Sequence, residues 1–366
     1  TVIDGGGISS VIYISLSSTQ SDTTLIRGFK IQNGGGASQN GGGLFLENNL
    51  LLSLKYVSVV NNNSGGIYFS GIGALTINSS SISYNLNAAG ITQMATSASS
   101  ILKIYNSDIK YNNGPHGGGI RSQGFTDLLV ESCNLIGNIS TAWDNQGGGG
   151  IYIYGYPGSQ NIINNTLFKS NQSSTTGGGI TAIYSGGSPL AELTLNNVDF
   201  IQNVQKQGAL YISNPAGPIE LTNINFIENI SSEKGGGIYI TSLSIMDIIF
   251  NKINVHLNSS DIGSGVYISS PNHPCNIENI SFSQNIGGSV LEFSSYDHNH
   301  TINHTTFSNN LNTSYAVSAT GSSTISNSNF INNGKSVNNI LSPNYITATN
   351  NYWGHSTGPY HPSQNP

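Results

Sequence analysis

The chain has 366 residues, a formal net charge of −6 and only 8% charged side chains, but 45 Gly, 49 Asn and 79 Ser plus Thr. Helical bundles and coiled coils are excluded, because they need the Ala, Glu, Lys and Arg that are scarce here. Nucleic-acid binding is excluded as well, since 11 scattered basic residues cannot neutralise a phosphate backbone. The 36% hydrophobic fraction is enough for a packed core, so the composition predicts a β-structured rather than a disordered chain.

Residues 1–40 open with Thr1-Val2-Ile3-Asp4-Gly5-Gly6, a strand and turn already inside a fold, followed by Val11-Ile12-Tyr13-Ile14. They read as irregular first coils, carry no initiator Met or signal peptide, and contain no amphipathic helix to cap the N-terminal edge. Either an upstream region or another subunit is expected to cover it. Together with the low charge, that makes a filament or larger assembly an expectation. No apolar run reaches the 18 residues of a membrane-spanning helix, so no membrane insertion by this segment is expected.

From residue 41 to 334 one spacing recurs: an apolar residue, a second five positions later, then Asn three further on. The Asn column is Asn62, Asn85, Asn112, Asn138, Asn171, Asn203, Asn229, Asn258, Asn285, Asn310 and Asn333. Each instance follows a Gly-rich turn and an aliphatic that starts a period-2 segment, as in Gly66-Ile67-Tyr68-Phe69, Gly150-Ile151-Tyr152-Ile153 and Gly237-Ile238-Tyr239-Ile240. The Asn recur every 23 to 33 residues, and each interval holds three short strand-like pieces between Gly, Asn and Ser turns. One such unit cannot bury its inner face, whereas stacked units can.

The prediction is therefore an all-β right-handed parallel β-helix, a solenoid of about twelve coils with three short strands per coil. Like residues then lie above one another. Phe168, Phe200, Phe226, Phe282, Phe307 and Phe330 should form an internal stack, and the Asn column should chain its amides from coil to coil. The glycines supply positive φ at the sharp bends, and insertions such as Ser140–Gly147 and Ser185–Ala191 enter at turns. Residues 335–366 read as a last coil and cap around Trp353, so the chain reads as a single β-helix domain over 1–366.

Phe168-Lys169-Ser170-Asn171, Phe200-Ile201-Gln202-Asn203, Phe226-Ile227-Glu228-Asn229 and their counterparts, paired with the Gly-Gly-aliphatic turns, resemble the repeat of the polymorphic outer-membrane protein adhesins. That repeat sits within the broader pectin-lyase-like β-helix superfamily. Asn350-Asn351-Tyr352-Trp353-Gly354 with Gly358-Pro359-Tyr360-His361-Pro362 resembles the terminal segment of secreted bacterial β-helix proteins. The resemblance implies the fold over nearly the whole chain, while adhesins, lyases, hydrolases and inert rods all use that scaffold.

Lyases of this fold need clustered acids for calcium and an Arg or Lys to take a proton. The only arginines are Arg27 and Arg121, and Asp108, Asp127, Asp199, Asp247 and Asp261 are single acids in separate coils. No catalytic residues, cofactor or metal are expected. His298, His300 and His304 form the only histidine cluster, with His300 at an inward position. Cys133 and Cys275 lie five coils apart and cannot be bridged. The eleven Asn-X-Ser/Thr sequons match the roughly 10.6 that composition alone gives, so they carry no information.

Strand alternation places Phe45, Tyr68, Tyr152, Tyr211, Tyr239 and Tyr267 on the outside, a candidate aromatic face for glycans or another protein. The expected function is a non-catalytic extracellular or cell-surface structural or adhesion protein, with other subunits or surface glycans as partners. The alternative is a carbohydrate-active enzyme or glycan-binding module.

Overall fold

A computed structural model describes residues 1–15, 22–35, 41–48, 50–144, 146–187, 190–215, 217–241, 248–269, 274–294, 299–339 and 345–354. Every strand pairing among them is parallel and joins one coil to the next. The first face follows the Gly turns: Ile67–Ser70 pairs with Leu44–Glu47 and with the strand that starts at Ile91. The second face places Leu54, Ile77, Ile104, Val130, Ile163, Leu195 and Leu221 in register. The third does the same for Ile31, Val59, Ile82, Ile109, Leu135, Phe168, Phe200 and Phe226. The result is a parallel β-solenoid of about eleven turns, a rod roughly 50 Å long at the ~4.8 Å spacing of paired strands.

The three-strand coil is incomplete in one respect. After the ladder Asn, two or more residues continue to pair, as in Ile139–Ser140 with Gln172–Ser173 and Val204–Gln207 with Ile230–Lys234. They form a fourth, short ladder. Regular pairing also reaches into residues 1–40, where Val2–Asp4 lies against Lys30–Gln32 and Ile12–Ser15 against Leu44–Glu47.

Two phenylalanine stacks run through a mainly aliphatic interior. Phe168, Phe200 and Phe226 are stacked at 5.0 and 4.8 Å between ring centroids, as are Phe282, Phe307 and Phe330 at 4.9 Å. Trp353 continues the column over Phe330 at 4.6 Å, so it closes the described end of the core; Gly358 to Pro362 lie outside the described residues. Val255 interrupts the phenylalanines between Phe226 and Phe282. In that coil the bulk moves across the core, because Phe250 stands where its neighbour has Leu221. Total volume is thereby nearly conserved, which is what a close-packed interior demands.

Beside the aromatic stack runs an unbroken amide ladder from Asn62 to Asn333. The backbone N–H and the Nδ2 of Asn171 both donate to Oδ1 of Asn203, at 3.0 and 3.1 Å. Nδ2 of Asn203 in turn donates to the Phe168 carbonyl and to Oδ1 of Asn229, each at 3.0 Å. Both amide hydrogens and both lone pairs are used, so a polar column costs nothing in the core. At its N-terminal end Gly34 takes the position, and its N–H donates to Oδ1 of Asn62 at 2.8 Å. Sequon residues Asn62, Asn138, Asn171, Asn229 and Asn258 belong to this ladder and have no exposed surface, so the folded chain cannot present them for glycan attachment.

The glycines divide their work. Gly235 has φ +65°, whereas Gly237 has no positive φ and is required by proximity: a Cβ there would sit 2.9 Å from the Gly265 carbonyl oxygen of the next coil. Other left-handed positions are filled by ordinary residues. The residue before the ladder Asn has φ near +55° whether it is Tyr84, Tyr111, Gln202, Glu228 or Leu257. Such a bend costs roughly 1–2 kcal/mol for a residue with a Cβ, and the ladder bonds that follow hold it in place.

Cys133 and Cys275 are both buried, and neither is in a disulfide. Burial pushes Cys133 up to about 11 and Cys275 up to about 12. Because only the thiolate reacts, the native protein at pH 8 should consume no DTNB until denaturant is added, after which both thiols react; rapid modification of the folded chain would contradict this burial.

Candidate functional site

The expected aromatic face is largely closed. Tyr152, Tyr211, Tyr239, Tyr267 and Phe45 lie on the outward side of the first face, yet they are 1%, 6%, 7%, 5% and 8% exposed; only Tyr68 is half-buried. The Gly turn lies against the start of these strands, and the rings are covered by one another and by neighbouring aliphatics. At Gly263 the chain passes so close above Tyr267 that a Cβ would come within 2.6 Å of the tyrosine's own Cβ. Tyr211, Tyr239 and Tyr267 pack edgewise on one another, with Ile183 and Ile262 beside them and Lys234 Nζ 5.1 Å from the Tyr267 ring. Phe45 is held between Tyr13 and Tyr68 at 5.5 and 4.8 Å. These rings form a second, outer packing layer rather than an open platform.

The histidines separate. His300 is fully buried, stacks on Phe293 at 4.4 Å, and accepts the Cys275 N–H at Nδ1. His304 is exposed and lies 3.3 Å from Glu278; His298 is outside the described residues. Among the described residues no three His, Cys, Asp or Glu side chains are grouped to hold a metal ion.

Several carboxylates are paired with neighbours in their own or adjacent coils. Asp4 accepts from Gln32 and Asn33, Asp199 from Asn225, Glu228 from Gln202 and Glu233 from Gln207. Desolvation works to raise Asp108, but the hydrogen bond from Asn134 and the Lys110 ammonium at 2.9 Å outweigh it and leave its carboxyl below the ordinary value. Glu292 is the exception: burial above Tyr267 holds its carboxyl above the usual range, with Ser289 and Lys234 partly opposing.

A different cluster occupies the first face in the middle of the rod. Arg121 pairs in register with Tyr152, and Gln123 with Tyr154. The Arg121 Nε and Nη2 both donate to Oε1 of Gln123. On one edge lies the insertion after Ser140, where Asp144 Oδ1 is 3.7 Å from His116 Nδ1 and the Tyr152 hydroxyl donates to Gln146 Oε1 at 3.1 Å. This loop displays Trp143 at 89% exposure. On the other edge Tyr156 packs edgewise against Phe125 and Tyr154 at 5.0 and 5.6 Å. The sequence marked Arg121, Tyr152 and the insertion separately, and only the coil-to-coil register brings them together.

Among the described residues no helix is long and apolar enough to cross a membrane, which says nothing of strands. Comparison with curated proteins and with solved structures gave no match. The family model described as "Right handed beta helix region" matches residues 10–226, more than half of the chain. With its parallel register, stacked phenylalanines and continuous Asn ladder, the chain belongs to this right-handed β-helix family, a membership that supports the broader pectin-lyase-like superfamily.

Proposed function

We propose that this chain is a non-catalytic, extracellular or cell-surface rod that acts in adhesion or in building a surface structure, of the polymorphic outer-membrane protein type. One observation carries the reading. Among the described residues no three His, Cys, Asp or Glu side chains are grouped as metal ligands, and the carboxylate contacts of Asp4, Asp108, Asp199, Glu228 and Glu233 run to amides, a backbone N–H and a lysine. A glycosidase needs two facing acids, and a calcium-dependent lyase needs several around one ion. The sparsely charged chain and the continuous Asn ladder of its core suit a stiff spacer that presents its faces to other subunits or to glycans.

The enzyme reading has a single point in its favour, the half-buried Glu292 beside Lys234. Both readings are tested by fractionating cells that make the full-length protein and by incubating the purified protein with neutral and acidic polysaccharides. The expected result is surface or culture-medium location, cell adhesion, and no new reducing ends or unsaturated products. Product release abolished by Glu292→Gln would favour the enzyme, and retention inside the cell would overturn the surface role.

A further inference from the structure

We infer that the first face between Arg121 and Tyr156 is a binding site for a neutral, hydroxyl-rich glycan, with Trp143 as its stacking platform. The inference deepens the adhesion reading above by naming a site and a ligand class. An indole that is 89% exposed buries little surface against its own protein, so it contributes little to folding and is available to a partner. Asp144 and Gln146 beside it are tied to the rod. His116 Nδ1 lies 3.7 Å from Asp144 Oδ1 and 3.3 Å from the Gln146 carbonyl, and Gln146 receives the Tyr152 hydroxyl. Preorganisation of this kind lowers the entropic cost of binding.

Across the face, the half-buried rings of Phe125, Tyr154 and Tyr156 supply a second apolar edge. Between the two edges lies a planar polar floor. Arg121 engages two of its five N–H donors on Gln123 and has no carboxylate within ion-pair distance among the described residues. Aromatic planes that take the C–H face of a sugar, around guanidinium, amide and carboxylate groups that take its hydroxyls, are the chemistry of carbohydrate recognition.

Charge decides the class of sugar. Arg121 and Asp144 lie within electrostatic reach of one another and offset each other, and the whole chain carries −6. A polyanion such as a polyuronate or a sulfated glycan would meet repulsion without a compensating basic cluster. A neutral oligosaccharide has no such penalty.

The test is a glycan microarray carrying neutral, sialylated and sulfated oligosaccharides and polygalacturonate, followed by calorimetric titration with the best neutral ligand. Wild type should bind neutral glycans. Trp143→Ala and Arg121→Gln should each weaken binding by at least about tenfold, Trp143→Ala without a change in melting temperature. Tyr345→Ala, at another solvent-facing ring elsewhere on the rod, should bind like wild type. Preference for acidic glycans, absence of any glycan binding, or unchanged affinity in Trp143→Ala would overturn the assignment. If glycan binding fails while the protein still mediates adhesion, the site is refuted and the surface role stands.

Discussion

Asn203→Ala is expected to destabilise the rod by about 3–6 kcal/mol, far more than an average surface asparagine. The substitution deletes the acceptor of the Asn171 N–H and Nδ2, and the donor to the Phe168 carbonyl. Each of these groups is buried where water cannot replace the lost partner, at about 1–3 kcal/mol apiece. Asn203→Asp should be worse, because a carboxylate cannot donate to Phe168 or Asn229 and its charge would be buried. Asn333→Ala, at the half-buried end of the same ladder, should cost less than about 2 kcal/mol because water reaches the groups it leaves. Urea denaturation followed by circular dichroism measures all three. Equal, small effects at Asn203 and Asn333 would mean that the ladder is geometry without energetic weight.

Phe200→Ala should cost about 3–5 kcal/mol. The ring is fully buried and lies between Phe168 and Phe226 with interplanar angles of 10° and 7°. Truncation leaves a cavity that rigid parallel strands above and below cannot collapse, and both stacking contacts are lost. Phe200→Leu, which restores most of the volume but no stacking, should fall near 1–2 kcal/mol. The natural exchange at Phe250 and Val255 marks the same constraint, since a smaller side chain in the column is accompanied by a larger one across the core. Because each coil touches mainly its neighbours, the loss should appear first in coils around Phe200, readable as faster amide exchange of Ile163 to Leu221 than of Ile277 to Ile325. Uniform loosening of the whole rod would argue for a single cooperative unit instead.

The aromatic face shows where reading by periodicity misleads. Alternation correctly places Tyr211, Tyr239 and Tyr267 on the outer side of their strands, but it does not reveal what passes over them. The glycines of the turn let it approach the Cβ atoms of Tyr239 and Tyr267, and Ile183, Ile262 and the neighbouring rings cover the rest. Tyr239 is consequently a packing residue, although nothing in its local pattern separates it from an exposed one. The left-handed bends at Tyr84, Gln202 and Leu257 were equally invisible, because those residue types carry no turn signal of their own.

What the sequence by itself determined is the repeat, and with it the parallel solenoid, the Phe stack and the Asn ladder. These rest on spacings along the chain, and any coil that places like residues in register must reproduce them. What only the tertiary structure decided is which outward side chains are open and which distant ones meet. Trp143, His116, Arg121 and Tyr154 belong to different strands, loops and coils, and their proximity depends on insertion lengths and on the course of each turn. Burial on the outside of a rod is set by the neighbouring coil and the overlying loop, not by the residue's own place in the repeat.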